Sequence, residues 1–374
     1  MPREIFASFS TLTFTKGRTF PLIPQNDRNG TLHPEAPKKK GRQTRPIFLL
    51  LSLLLLFSSA SFLSSCGGGP TVATTTGRTL YLATTSGIYG FNIMSDGTLS
   101  TVSSSPLVTV SYTQIAATTG STSTLIGAKG GNSLTTWLIS GGTLGTGTSL
   151  SLSTGCSSFN ATGVAVTSDN NYVLAVDGSA TTSNIASLPV AGGTCNLSST
   201  KTADYPVQPS LDCSVAGTSY CILFLTLSSQ ATTSGTTAVA PEEDSFTKSS
   251  GAVAALSTPT NPFSTCATSI CPQGVAFNAN TLYFYTTFNG GSPSLQSIAP
   301  QTTTSAQTAS FSTANLNLPC IDALAGTAYI TTSNGYVYAV STGNAGNLGT
   351  PSTVLSPQTF GSTLTINSCA IGGS

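Results

Sequence analysis

Few side chains in this chain can do acid–base, nucleophilic or metal chemistry. Of 374 residues only 7% are charged, and the single histidine is His33. Beyond residue 66 no histidine remains, which excludes schemes built there on an imidazole base. Four Lys or Arg remain in that region (Arg78, Lys129, Lys201 and Lys248) against nine acids. The lysines lie in Gly/Ser/Thr-rich stretches, where a solvated ammonium is expected, not the desolvated one that a Ser-Lys pair needs. Arg78 reads as a solvated turn residue. The carboxylates are the remaining candidates. Glu242-Glu243-Asp244 places three acids in succession within a long insert, 230–250. Such a run suits a hard cation such as Ca²⁺, or else a solvated loop. Asp212 and Asp322 fall on strands expected to line a channel. There they either coordinate an ion or polar ligand, or bond the backbone amides of a turn. Asp96, Asp169 and Asp177 read as turn formers. No catalytic residue and no metal ligand set is assigned, no phosphate loop or dinucleotide fingerprint occurs, and no cofactor is implied beyond that calcium.

The cysteines carry more information. Nine are present. Cys66 follows a basic stretch, Lys38-Lys39-Lys40-Gly41-Arg42, an apolar run over 47–57 and Leu63-Ser64-Ser65. That order is the pattern of a secretory signal. The apolar part, 47–63, is marginal for a spanning helix, and an N-terminal membrane anchor is the competing reading. Leu63-Ser64-Ser65-Cys66 resembles a bacterial lipobox, which implies that Cys66 becomes the lipidated N-terminus. Gly67-Gly68-Gly69 then reads as a flexible tether. With Gly at residue 67 the resemblance favours the outer membrane or cell surface. Eight cysteines remain, an even number that suits disulfides in an exported chain. Cys213 and Cys221 flank Ala216-Gly217-Thr218 like partners in a hairpin, and Cys266 and Cys271 are close in sequence. Cys156–Cys195 and Cys320–Cys369 are left as the other two pairs. A zinc site is not expected without a CxxC pair or a histidine. The expected organisation is an upstream segment over 1–37, with the true start lying downstream of residue 1. A lipoprotein signal peptide (38–65), a lipidated Cys and tether (66–77) and one folded domain (78–374) follow.

The elements that must position these groups are strands. A Thr-rich chain punctuated by aromatics and broken by Gly reads as all-β. It lacks both the basic surface of a nucleic-acid binder and the helical spacing of a bundle. One phrase of short strands and turns recurs. Equivalent positions fall near Tyr81, Ile126, Val173, Leu223, Tyr283 and Tyr329, and repeats of 40–50 residues with four short strands signal a β-propeller. Six blades are counted, with seven the alternative. The stretch 366–371 resembles the first strand of a blade and should complete blade one, which closes the ring. Trp137 is expected to pack between blades, with ligand stacking as the alternative reading.

The stretch 79–107 (TLYLATTSGIYGFNIMSDGTLSTVSSSPL) resembles the repeat of lactonase-type propellers, the 6-phosphogluconolactonase-like and YVTN-repeat group. It has the Leu-Tyr strand, the Gly-containing turn, Asp96-Gly97-Thr98-Leu99 and then Ser105-Pro106. Asn261-Pro262-Phe263 is a weaker echo of the last phrase. The resemblance implies a propeller, usually of seven blades, and in the enzymes of the group hydrolysis of sugar lactones by His, Arg and acids at the channel mouth. No such residue carries over here. The expected function is therefore a noncatalytic, lipid-anchored binding or scaffolding protein of the cell envelope. Its partners would be an envelope protein, a peptide or a glycan, with no nucleic acid, and a monomer is expected. A lactonase-like hydrolase is the alternative.

Overall fold

The computed structural model describes residues 73–118, 122–178, 184–199, 206–213, 219–227, 242–255, 272–277, 283–287, 293–298, 307–312, 316–317, 319–322, 324–343, 347–360 and 364–373. Cys66, the leader, Cys266 and Cys271 lie outside them.

The described residues form a β-propeller of six antiparallel sheets. Blade one joins β1 (Thr75–Thr84), β2 (Gly87–Met94) and β3 (Leu99–Thr101) to the C-terminal strand β25 (Ile366–Gly373). Blade two holds β4 (Gln114–Ala117), β5 (Thr124–Ala128), β6 (Ser133–Ser140) and a broken outer strand, β7 (Thr143–Leu144) and β8 (Thr148–Ser151). Blade three holds β9 (Ala161–Val166), β10 (Tyr172–Asp177), β11 (Asn184–Pro189) and β12 (Asn196–Ser199). Blade four holds β13 (Pro206–Asp212), β14 (Tyr220–Leu227), β15 (Glu242–Thr247) and β16 (Val253–Ala255). Blade five holds β17 (Pro272–Phe277), β18 (Tyr283–Thr287), β19 (Ser294–Ile298) and β20 (Gln307–Ser310). Blade six holds β21 (Cys320–Asp322), β22 (Thr327–Thr331), β23 (Val337–Ser341) and β24 (Ser352–Leu355). All six reference residues named above lie on second strands, counted outward from the axis.

The second strands of blades one to four and six are buried on both faces because each is sandwiched between neighbouring blades. Their sequences are therefore apolar runs instead of alternating ones. Leu80, Tyr81, Leu82 and Ala83 are all fully buried. Pleating then divides them: Leu80 and Leu82 pack with Tyr329 and Val337 of blade six, whereas Tyr81 and Ala83 pack with Leu125 and Trp137 of blade two. Similar clusters fill the seams between blades two and three, three and four, and five and six. Trp137 sits in such a seam, edge-on to Tyr112 at 5.0 Å.

Polar groups fasten the same seams. Tyr329 donates its hydroxyl to Gly97 O at 3.1 Å, in the β2–β3 turn. Tyr81 donates to Gly142 O at 3.2 Å, in the β6–β7 turn. Ser187 donates to Gly251 O in the β15–β16 turn. In each case one blade holds the outer turn of the next. Disulfides join Cys156 to Cys195, Cys213 to Cys221 and Cys320 to Cys369.

Two local expectations change. Glu242-Glu243-Asp244 opens strand β15 and is buried, where a solvated loop was one reading. Arg78 lies within β1 and forms an ion pair with Asp322, where a solvated turn residue was expected. β1 itself begins at Thr75, inside the stretch read as tether.

Candidate functional site

The innermost strands β25, β4, β9, β13, β17 and β21 pack one on the next around the axis, and β21 returns to β25. Their free edges face the axis, and an inner edge offers backbone groups without a strand partner. Side chains from the preceding blade satisfy several of them. Asn317 Nδ2 donates to Ile366 O at 2.8 Å, from blade six to blade one. Ser368 Oγ accepts from Ile115 N at 3.0 Å, from blade one to blade two. Gln114 Oε1 accepts from Val164 N at 2.9 Å, from blade two to blade three. Thr113 Oγ1 adds a bond to Thr162 O at 2.6 Å. In blade four, Pro209 offers no amide.

These strands enclose a cavity of about 260 Å³. Its walls come from β4, β9, β13, β25 and the approach to and start of β21. Ile115, Val164, Leu211 and Ile321 contribute apolar surface, and Gln114, Ser210 and Ser368 are its polar residues. No ionisable side chain lines it among the described residues. The six inner strands carry only two ionisable groups in their sequences other than disulfide cysteines, Asp212 and Asp322. Each is the last residue of its strand, and neither lines the cavity.

Asp322 instead works in a turn and a seam. Its Oδ1 accepts from Ala325 N at 3.2 Å and pairs with Arg78 of blade one. Thr118 and Thr167 cap the corresponding turns of blades two and three through Thr124 N and Tyr172 N. Burial lowers the Arg78 pKa, against a raising effect from Tyr329. Asp212 is buried at the end of β13, opposite Ile222.

The acidic run does not converge on one point. Glu242, Glu243 and Asp244 stand opposite Leu225, Phe224 and Leu223 of β14. Successive residues of a strand face opposite sides, so Glu242 and Asp244 share one face of the sheet and Glu243 lies on the other. The three carboxylates therefore share no single face. None of the three lacks a partner. Among the described residues no group of three or more His, Cys, Asp or Glu could hold a metal ion. Lys248 donates from Nζ to Cys213 O at 3.4 Å.

Among the described residues, the cavity at the axis is lined by apolar and uncharged polar residues. Sequence reading missed its polar residues, because Gln114, Ser210 and Ser368 belong to three blades and no local motif joins them.

No family model matches the chain, and no curated protein sequence matches it. Solved structures do resemble it. A chain of a nidogen–laminin complex has a TM-score of 0.50 and 12% identity, over 79% of this chain and 98% of that one. A candidate 6-phosphogluconolactonase from Bacteroides fragilis has a TM-score of 0.46 and 11% identity, over 79% and 97%. The β-propeller domain of Cps50 (Swd1) from Myceliophteria thermophila has a TM-score of 0.40 and 10% identity, over 65% and 67%. At these identities the likeness concerns the fold, since one fold hosts many functions.

Proposed function

We propose that this is an exported, lipid-anchored propeller that binds or scaffolds without catalysis at the bacterial cell envelope. The observation that carries the noncatalytic part is the channel wall. Among the described residues of the inner strands, the two carboxylates end their strands outside the cavity, and Asp322 is held by Arg78 and a turn amide. General acid–base chemistry needs a titratable group within reach of the reacting atom. The anchor rests on Cys66 and the basic and apolar stretches before it. Two acyl signals hold a protein on a membrane where one gives only marginal binding. The partner would be an envelope protein, a peptide or a glycan.

The full chain, expressed in a bacterium with a labelled fatty acid, tests the anchor. Label is expected on the wild type and not on Cys66→Ser. An unlabelled wild type overturns it. The processed protein assayed against sugar lactones tests the rest. No turnover is expected. Turnover lost in Asp212→Asn would establish the hydrolase suggested by the repeat at 79–107.

A further inference from the structure

We infer that the central channel binds a small uncharged molecule bearing acceptor oxygens, no larger than a monosaccharide, held by Ser210, Gln114 and Ser368. The inference rests on the binding reading above and names its ligand class.

The three side chains line the same cavity, and all are more than nine-tenths buried, with 9%, 5% and 4% exposure. Their hydrogen-bonding capacity is unequally used. The Ser210 hydroxyl makes no hydrogen bond to another described residue, its backbone being paired in the β13–β14 ladder. Gln114 spends Oε1 on Val164 N, which leaves both amide hydrogens on Nε2. Ser368 spends a lone pair of Oγ on Ile115 N, which leaves its hydroxyl hydrogen. Every unspent group is therefore a donor, and Ser210 can also accept. Buried polar groups of native proteins find partners. A polar cavity this large supplies them through water or through a ligand.

The geometry favours one molecule bonded on several sides. The inner strands follow the order β25, β4, β9, β13, β17, β21 around the axis. Ser368 on β25 and Ser210 on β13 thus come from opposite sides of the ring, and Gln114 on β4 stands between them. Ile115, Val164, Leu211 and Ile321 offer apolar contact to the rest of the ligand. The ligand must be neutral, because an ion in a wall without countercharge would bear its desolvation cost unpaid. It must be small, because about 260 Å³ lies below the range of about 300–1,000 Å³ typical of drug-sized sites.

The experiment is calorimetric titration of the processed full chain with glucose, glycerol and γ-butyrolactone, and with gluconate as the charged counterpart of glucose. Ser210→Ala removes a hydroxyl that holds no other described residue, so the fold should survive it. Ser210→Leu fills the channel. At least one neutral probe is expected to bind saturably, with about fivefold weaker binding in Ser210→Ala, the loss of one hydrogen bond. Binding should vanish in Ser210→Leu, and gluconate should not bind. Thermal melts of both variants confirm folding. Three results overturn the inference: no neutral probe binds, Ser210→Leu binds as wild type, or gluconate binds as tightly as glucose. A channel holding only water gives the first of these and leaves the envelope-binding reading standing. Turnover of γ-butyrolactone that disappears in Ser210→Leu would overturn the noncatalytic reading and uphold the channel as the ligand site.

Discussion

Tyr81 and Tyr329 show how single side chains tie packing to pH. Both rings are fully buried, and each hydroxyl bonds a turn of the next blade. Burial pushes both pKa values up to about 12. A phenol whose pKa is raised on folding favours the protonated native state, so its contribution is complete below the unfolded pKa of about 10. The contribution is lost as pH rises from about 10 through about 12. Alkaline unfolding should therefore steepen in that window. The double variant Tyr81→Phe/Tyr329→Phe should lose that steepening while being less stable at neutral pH, as read by thermal melts across pH. The Arg78–Asp322 pair gives a second prediction. Removing one partner of a buried ion pair leaves the other charge uncompensated, at a cost of about 3–5 kcal/mol when burial is complete. Arg78 keeps 12% side-chain exposure and Asp322 keeps 2%, so Arg78→Met should lose somewhat less, about 2–3 kcal/mol by denaturant unfolding. Sequence reading misplaced Arg78 because its partner lies near the other end of the chain, and no local pattern joins them.

At the scale of elements, the legible parts were those whose burial is dictated by the fold. Tyr81, Val173 and Tyr329 could be aligned because their second strands are covered on both faces and read as apolar runs. Strand β15 was illegible for the opposite reason. Glu242-Glu243-Asp244 has the composition of a solvated loop, and only its pairing with Leu223, Phe224 and Leu225 of β14 turns it into sheet. The channel wall was equally illegible, because Ser368 and Gln114 act on amides of other blades. Ser368→Ala would leave the buried Ile115 amide without its acceptor. The expected loss is about 1–3 kcal/mol, measured by chemical denaturation. Gly155 poses a sharper backbone test. Its φ is +99°, and a Cβ there would collide with Cys195 O, beside the Cys156–Cys195 disulfide. Gly155→Ala should thus destabilise by more than the roughly 1 kcal/mol that left-handed backbone alone costs an alanine.

For the whole molecule, the question is what keeps a ring of weakly charged blades shut. The C-terminal strand β25 pairs with β1 from Arg78–Gly373 to Thr84–Ile366, so the first blade is built from both ends of the domain. Cys320–Cys369 then bolts that strand to blade six across a sequence separation of 49, whereas Cys213–Cys221 clips neighbouring strands across 8. If a disulfide acts chiefly by restricting the unfolded chain, the longer loop should contribute more, about 4 kcal/mol against about 2.5 kcal/mol. The double serine variants Cys320→Ser/Cys369→Ser and Cys213→Ser/Cys221→Ser measure the difference by unfolding in guanidinium. The first should lose more stability and the second less, with similar denaturant slopes if each still unfolds in one step. An equal loss would mean that β25 pairing and the Arg78–Asp322 seam already close the ring. In that case the long bridge adds little, and the closing strand carries closure through its backbone bonds alone.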